Sequence, residues 1–301
     1  MKTILLLGGY GFIGTNLIKW AENKNLNYRF IVFDRFVNHP LGVTADNIIK
    51  SYDGDYADRK LIEKIFNENN IDLVIHSLSN TIPLQMGSSI YDVESNLIPT
   101  INLLEVMHQY NTQDIIYISS GGAIYGDTRQ KNANLENEDV KPKSSYGVIK
   151  LAIEKYLFLY KETYQLRPLI LRLSNPYGRY HTSTKQGIIN VALKAAQNKK
   201  TFTVWGDGTA TKDYIFVEDL CEILYALYEQ KIHGEVINVA SGELLSVNTI
   251  LNEIKSKYPT FQWNYVDANS NDVQYVALNT QKLNAYIRVN YTKFYDVIKR
   301  L

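Results

Sequence analysis

Tyr146 and Lys150 stand four residues apart in Ser145-Tyr146-Gly147-Val148-Ile149-Lys150. On a helix that spacing sets both side chains on one face. A free phenol titrates near ~10 and is a poor base at neutral pH. A nearby ammonium favours phenolate, and a positively charged nicotinamide ring would favour it further. Tyr146 is therefore read as exchanging a proton with a sugar or alcohol hydroxyl while a hydride moves to or from a cofactor. Lys150 would also hold the nicotinamide ribose. The pair alone carries little weight in a chain with 23 tyrosines. A second feature adds to it: Ser119-Ser120-Gly121-Gly122-Ala123-Ile124-Tyr125-Gly126 follows an apolar, strand-like run. A serine at such a strand end can donate to, or accept from, the oxygen being oxidised.

These groups need a frame that brings a cofactor to them. Gly8-Gly9-Tyr10-Gly11-Phe12-Ile13-Gly14 follows the apolar run Ile4 to Leu7 and opens an amphipathic, helix-like stretch. A glycine-rich turn between strand and helix points backbone N–H groups and a helix N-terminus at an anion. Gly8 permits the turn, Gly11 lets the backbone approach a pyrophosphate, and Gly14 lets helix pack on strand. Asp34 lies 20 residues beyond Gly14, at the end of the apolar run Phe30 to Phe33. A carboxylate there can hold the adenosine ribose hydroxyls and would repel a 2′-phosphate, so NAD is expected rather than NADP.

Apolar runs and helical periodicity alternate through the first half, as in an α/β doubly wound parallel sheet. Strands are expected at Thr3–Leu7, Tyr28–Phe33, Asn47–Ser51, Leu73–His76, Asp114–Ser119 and Pro168–Leu173. Helices are expected at Gly11–Asn23, Asp58–Asn69, Val93–Gln109 and Ser145–Tyr164. The second half is less regular, with helices at Gly187–Gln197, Asp219–Gln230 and Val247–Tyr258 and a strand at Val236–Val239. The polar stretch Arg129–Lys143 reads as a mobile surface loop.

The 301 residues suit one large domain or two interleaved ones. Hydrophobic content of 45% and a net charge of +1, from 32 basic and 31 acidic residues, give no electrostatic case for nucleic acid. A single cysteine, Cys221, suits a reducing compartment. No apolar run approaches a membrane span, and the first strand starts without a signal peptide. A cytoplasmic protein is expected. The histidines His39, His76, His108, His181 and His233 are scattered without ligand spacing, so no metal is expected.

In this order the motifs resemble the extended short-chain dehydrogenase/reductase family, the nucleotide-sugar epimerases and dehydratases, over nearly the whole chain. Gly8–Gly14 matches GGxGFIG, and Asp53–Asp58 resembles a GDxxD loop whose Asp55 and Tyr56 would lie against adenine. His76-Ser77-Leu78-Ser79 resembles HLAA, which runs behind the cofactor. Asn96 matches the NxxGT asparagine, with Pro99 replacing glycine. Arg172–Gly178 matches RxxNxYG, and Gly206–Leu220 matches DGxxxRDYIHVxDL. The resemblance implies a Rossmann sheet, residues 1–175, with a smaller C-terminal α/β substrate domain, residues 176–301. Segments near 214–240 would return to the first domain.

By resemblance Tyr146 is the acid/base and Lys150 its partner, with Ser120 the active-site hydroxyl and Ser119 its fallback. Counted back from Tyr125, the hydroxyl position of SSSATVYG-type members falls instead on Gly121. Cofactor contacts fall on Gly8, Gly11, Phe12, Ile13, Gly14, Asp34, Asp55, Tyr56, Leu78, Ser79, Asn96, Ser119, Tyr146 and Lys150. Asn175 and Lys212 would contact a nucleotide-diphosphate sugar. Lys212 stands where the family has an arginine and loses its bidentate fork. Phe216 replaces histidine, and Ala268-Asn269-Ser270-Asn271-Asp272 keeps an acid but shows no second diphosphate arginine.

The resemblance implies an NAD-dependent nucleotide-sugar C4 epimerase working through a 4-keto sugar, an isomerase of polysaccharide biosynthesis that dimerises through a helix pair. Gly121 and Gly122 occupy the place of the dehydratases' Asp-Glu pair, which speaks against dehydration. A nucleotide-4-keto-sugar reductase using NAD(P)H shares the same serine, tyrosine and lysine. From another class, a catalytically silent NAD-binding regulator would usually lack the tyrosine or the lysine, and both are present.

Overall fold

Six apolar runs from the first 173 residues and one from the second half align as a parallel sheet. The computed structural model describes residues 1–36, 39, 41–81, 89–126, 133–184, 186–267 and 273–301. Its strands are β1 (Lys2–Leu7), β2 (Tyr28–Asp34), β3 (Ile48–Asp53), β4 (Leu73–His76), β5 (Asp114–Ser120), β6 (Arg167–Leu173), β7 (Asn175–Tyr177), β8 (Phe202–Trp205), β9 (Thr211–Phe216), β10 (Glu235–Val239), β11 (Leu244–Ser246), β12 (Trp263–Val266) and β13 (Tyr275–Val276). The helices are α1 (Phe12–Asn23), α2 (Arg59–Glu68), α3 (Ser89–Asp92), α4 (Ile98–Gln109), α5 (Gly121–Ile124), α6 (Ser145–Tyr164), α7 (Ile188–Gln197), α8 (Val217–Glu229), α9 (Val247–Lys257), α10 (Gln281–Tyr286) and α11 (Phe294–Arg300). A π-helical turn, Val93–Leu97, joins α3 to α4.

The large sheet runs β10-β6-β5-β4-β1-β2-β3. Alternate residues of its strands feed two apolar layers. Ile4, Leu6, Ile116 and Ile118 pack with α1 and α8 on one face. Leu5, Leu7, Ile115 and Tyr117 pack with α2, α4 and α6 on the other. The chain order reverses between β1 and β4, and such a switch point opens a crevice beyond the C-terminal strand ends. The loops after β1, β2, β4 and β5 all end there. Strand β10 joins this sheet beside β6, and α8 packs on α1, so the chain re-enters the first layer after β9.

A third core gathers α7, α9, α11 and β9. Beside it β11, β9 and β13 form a small sheet, with β7 added on β9, and β8 pairs β12. The stretch read as a surface loop is anchored where it is described. Asn134 is buried and bridges to Leu278, and the Glu136 carboxylate accepts from Asn238 N at 2.8 Å. The expected loop therefore has a fixed inner edge, because its polar groups satisfy strand ends of two elements. Residues 129–132 of that stretch, and Ala268–Asp272, lie outside the described residues.

Candidate active site

The glycine turn has the form an anion site needs. Gly8 adopts φ +78° and donates from its N–H to Phe33 O at 2.9 Å. Gly11 N donates back to Gly8 O at 3.0 Å and caps α1 without a side chain. No acidic residue occupies the first turn of α1, so its N–H groups and dipole are left for a ligand. A Cβ on Gly14 would lie 2.5 Å from Gly8 O, so only glycine lets the helix start this close to the turn. These features fit a dinucleotide diphosphate. Phe12 stacks edge-on against His181, ring centroids 4.8 Å apart, and Ile13 packs towards the α1–α8 layer.

Asp34 ends β2 beside this turn. Its carboxyl accepts from Arg35 N at 2.8 Å and Tyr10 N at 3.0 Å, which ties acid and turn together. Burial pushes its pKa up, and the two backbone bonds oppose the shift. Each oxygen retains lone-pair capacity for a ribose hydroxyl. Asp55 Oδ1 accepts from Ala57 N at 2.9 Å, which leaves its second oxygen open. Tyr56 corrects an expectation: its ring is 3% exposed, in the core under β2 and β4. Its hydroxyl meets His76 Nε2 at 3.0 Å, so only its backbone could touch adenine. Leu78 backs onto Gly8, with its Cα 3.1 Å from where a Gly8 Cβ would stand. Ser79 donates to Thr81 O at 3.0 Å. Asn96 is buried in the π-helical turn and accepts from Asn80 N at 2.8 Å, fixing the loop after β4. Its side chain thus acts on the loop, not directly on the crevice.

The chemistry gathers at the end of β5. Helix α6 begins with Ser144 accepting from Gly147 N at 3.2 Å, which sets Tyr146 in the first turn. Gly147 lets α6 approach α5, because a Cβ there would lie 2.5 Å from Ala123 O. Tyr146 is half-buried, and the Ser120 hydroxyl is close enough to lower its pKa. That nearness favours Ser120 as the hydroxyl over Gly121, which begins α5 and has no side chain. It also selects against Ser119, whose hydroxyl is turned away and donates to buried Glu154 at 2.6 Å. Ser119 can offer a cofactor only its backbone.

Lys150 is 5% exposed and donates from Nζ to Ile118 O at 2.8 Å. Nζ lies 5.7 Å from the Tyr146 ring centroid. The expected acidified phenol is not found in the free protein. Burial pushes Tyr146 up to about 12, against the lowering effect of Ser120. Burial likewise brings Lys150 down to about 7, against the raising effect of Glu154. Both shifts share one cause, removal of the charged form from water.

Beneath lies a buried network in which Arg172 and Tyr125 belong to sequence motifs, while Glu154 and Asn238 carry no motif signal. Glu154 Oε2 meets Arg172 Nη2 at 2.8 Å, and Arg172 Nη1 donates to the Tyr125 hydroxyl at 2.9 Å. Tyr125 in turn donates to Asn238 at 2.8 Å. Glu154 follows Lys150 by four residues, so the helical face of Tyr146 and Lys150 continues into it.

On the second layer, Asn175 Nδ2 donates to Asp213 O at 2.8 Å, which joins β7 to β9 next to Lys212. Asn175 and Lys212 are thus brought together, both half-buried. Burial raises the Asp213 carboxyl to about 7, against bonds from Ser241 N and Gly242 N. Among the described residues no His/Cys/Asp/Glu group could hold a metal, and no helix is long and apolar enough to cross a membrane.

The model of the NAD dependent epimerase/dehydratase family matches residues 4–240. A UDP-glucose 4-epimerase of Halalkalibacterium halodurans is 30% identical over 269 residues, 82% of this chain and 78% of that protein. A dTDP-4-dehydro-6-deoxyglucose reductase of Escherichia coli is 28% identical over 258 residues, 84% of this chain and 81% of that one. The crystal structure of Thermus thermophilus UDP-glucose 4-epimerase in complex with NAD superposes with a TM-score of 0.89 at 25% identity, covering 99% of this chain and 96% of that one. With the glycine turn, the acid at the end of β2 and the serine, tyrosine and lysine in place, the chain belongs to the NAD-dependent epimerase/dehydratase family.

Proposed function

We propose that the protein is a nucleotide-sugar C4 epimerase. The observation that carries this reading is the meeting of Ser120 and Tyr146, with Lys150 behind them, on the crevice side of a family sheet. Gly8, Gly11 and Gly14 with the α1 N-terminus would hold the cofactor diphosphate, Asp34 its adenosine ribose and Lys150 its nicotinamide ribose. NAD, when bound, supplies reversible hydride acceptance at the sugar C4. Tyr146 takes the 4-hydroxyl proton and returns it after the keto sugar has turned over. Ser120 holds the same oxygen. The free protein keeps Tyr146 protonated near neutrality, so the proton moves only once the positive charges of the loaded site favour phenolate. Asn175 and Lys212 face the sugar diphosphate, held mainly by the 176–301 segment.

The Escherichia coli relative supports a second reading, a 4-keto-sugar reductase built on the same three residues. Asp34 favours retained NAD, and hence the epimerase. A silent regulator would not need Ser120, Tyr146 and Lys150 gathered at one strand end. Exposed Ile98 on α4 and exposed Val148 and Leu159 on the contacting α6 support a homodimer through this helix pair. The setting proposed is the cytoplasm, in sugar-nucleotide or polysaccharide supply. The test is to purify the protein, assay for co-purified NAD and incubate it with UDP-, dTDP-, GDP- and CDP-sugars. A C4 epimer with no net cofactor change is expected. Stoichiometric NAD(P)H oxidation with a 4-keto sugar, and no epimer from the panel, would establish the reductase instead.

A further inference from the structure

Tyr117 sits in the middle of β5, fully buried, one strand residue before the carbonyl that receives Lys150. Lys150 Nζ stands 4.8 Å from the centroid of the Tyr117 ring. The same nitrogen is 5.7 Å from the Tyr146 ring. Among the described residues no carboxylate lies within ion-pair distance of it. Glu154, one turn on, gives its oxygens to Arg172 and Ser119. A buried ammonium without a counter-ion is costly unless something else compensates it. One carbonyl oxygen satisfies one of its three donors. The negative π-face of an aromatic ring is the other compensation at hand, and it strengthens when water is excluded.

The ring is itself held in place. His76, its partner on β4, packs edge-on against it with centroids 5.2 Å apart. His76 is fixed in turn by Nε2 contacts at 3.0 Å to both Tyr56 and Thr100. The Tyr117 hydroxyl and His76 Nδ1 have no hydrogen-bond partner, so the hydroxyl does not explain why tyrosine's ring stands here.

We infer that Tyr117 is a positioning residue for Lys150, its ring face being the seat of the ammonium beneath Tyr146. The inference rests on the reading of Lys150 as the cationic partner of the catalytic tyrosine. Several titratable groups face Lys150. From α6 come Tyr146 and Glu154; from β5, Tyr117; from β4, His76. Arg172 on β6 stands behind Glu154. Burial and then the Lys150 charge bring His76 down to about 3, and burial raises Tyr117 and Tyr146. Lys150 is thus the member of this group that changes charge near neutrality.

The experiment compares Tyr117→Phe, Tyr117→Leu and Tyr117→Met in the full chain with isotopically labelled lysine. The Lys150 ε-methylene resonance is followed by NMR against pH and assigned by its loss in Lys150→Met. Phenylalanine keeps the face and is expected to leave the midpoint within about 0.3 pH unit of wild type. Leucine or methionine removes the face and is expected to lower it by about one unit, a tenfold fall in the ammonium-to-amine ratio at fixed pH. The alkaline limb of turnover should move down by the same amount in the non-aromatic variants alone. Methionine keeps the test open should leucine fail to fold. Equal shifts in Phe and Leu, or no shift in any variant, would overturn the inference. A shift confined to Leu and Met in a protein that epimerises no sugar would uphold it while removing the epimerase reading.

Discussion

Replacing Gly14 by alanine tests the link from glycine spacing to cofactor. The added methyl would lie 2.5 Å from Gly8 O, 2.6 Å from Gly9 Cα and 2.7 Å from Gly9 O. Ordinary contact begins near 3.4 Å, so turn and helix must part by roughly 0.7–0.9 Å. All three opposing atoms are backbone, and no rotamer change can relieve them. Overpacking of this kind costs about 1–3 kcal/mol. The strain falls on the turn whose N–H groups would meet the diphosphate, so part of it appears in binding. The NAD dissociation constant of the stripped protein should rise by titration calorimetry, by up to about 150-fold if all of the strain were felt in binding. Gly122→Ala is the control, because nothing lies within 4 Å of its added carbon. It should bind NAD within twofold of wild type at an unchanged melting temperature. A Gly14→Ala protein binding NAD within twofold of wild type would refute the packing argument.

Three further changes probe the reacting groups. Tyr146→Phe should lower turnover by about 10²- to 10⁴-fold while NAD stays bound, and a loss below tenfold would remove Tyr146 from the proton step. Lys150→Met should abolish turnover yet stabilise the NAD-free protein by on the order of a few kcal/mol at pH 6.5. The sign follows from the folded value of about 7 against 10.5 in the unfolded chain. Between these values the unfolded chain binds the extra proton, so wild-type stability rises with pH and the variant's advantage shrinks by about pH 9.5. Melting curves in which that advantage is absent, or grows with pH, would contradict the buried-cation account. Glu154→Met leaves the Arg172 guanidinium buried without its counter-charge, a loss of about 3–5 kcal/mol that adding Arg172→Met should partly restore. A double variant less stable than the single one, by denaturant unfolding, would show that the pair is not the source.

What the chain discloses in advance depends on how local the cause is. The seven strands of the large sheet and the long helix Ser145–Tyr164 were legible because period and capping residues agree over many positions. The small sheet was not, because Asn175–Tyr177, Leu244–Ser246 and Tyr275–Val276 are too short to show a period and Thr211–Phe216, with which all three pair, does not alternate polar with apolar residues. The glycine turn and Asp34 were legible as spacing; their mutual bond through Tyr10 N was not. Ser119 and Ser120 look alike in sequence, yet successive strand residues face opposite ways, so one bonds Glu154 and its neighbour lies near Tyr146. Tyr56 looks like a loop aromatic ready for a base, and burial in the α2–α4 layer claims it instead. The protonation states were least legible. Sequence places Lys150 beside Tyr146, which alone argues for an acidic phenol. Burial moves both groups towards neutrality, and its depth depends on the closeness of α6 to α5 that Gly147 permits. In the free site Tyr146 is therefore held protonated and Lys150 is poised between its charged and neutral forms, and the charge that drives the chemistry must be completed by what binds.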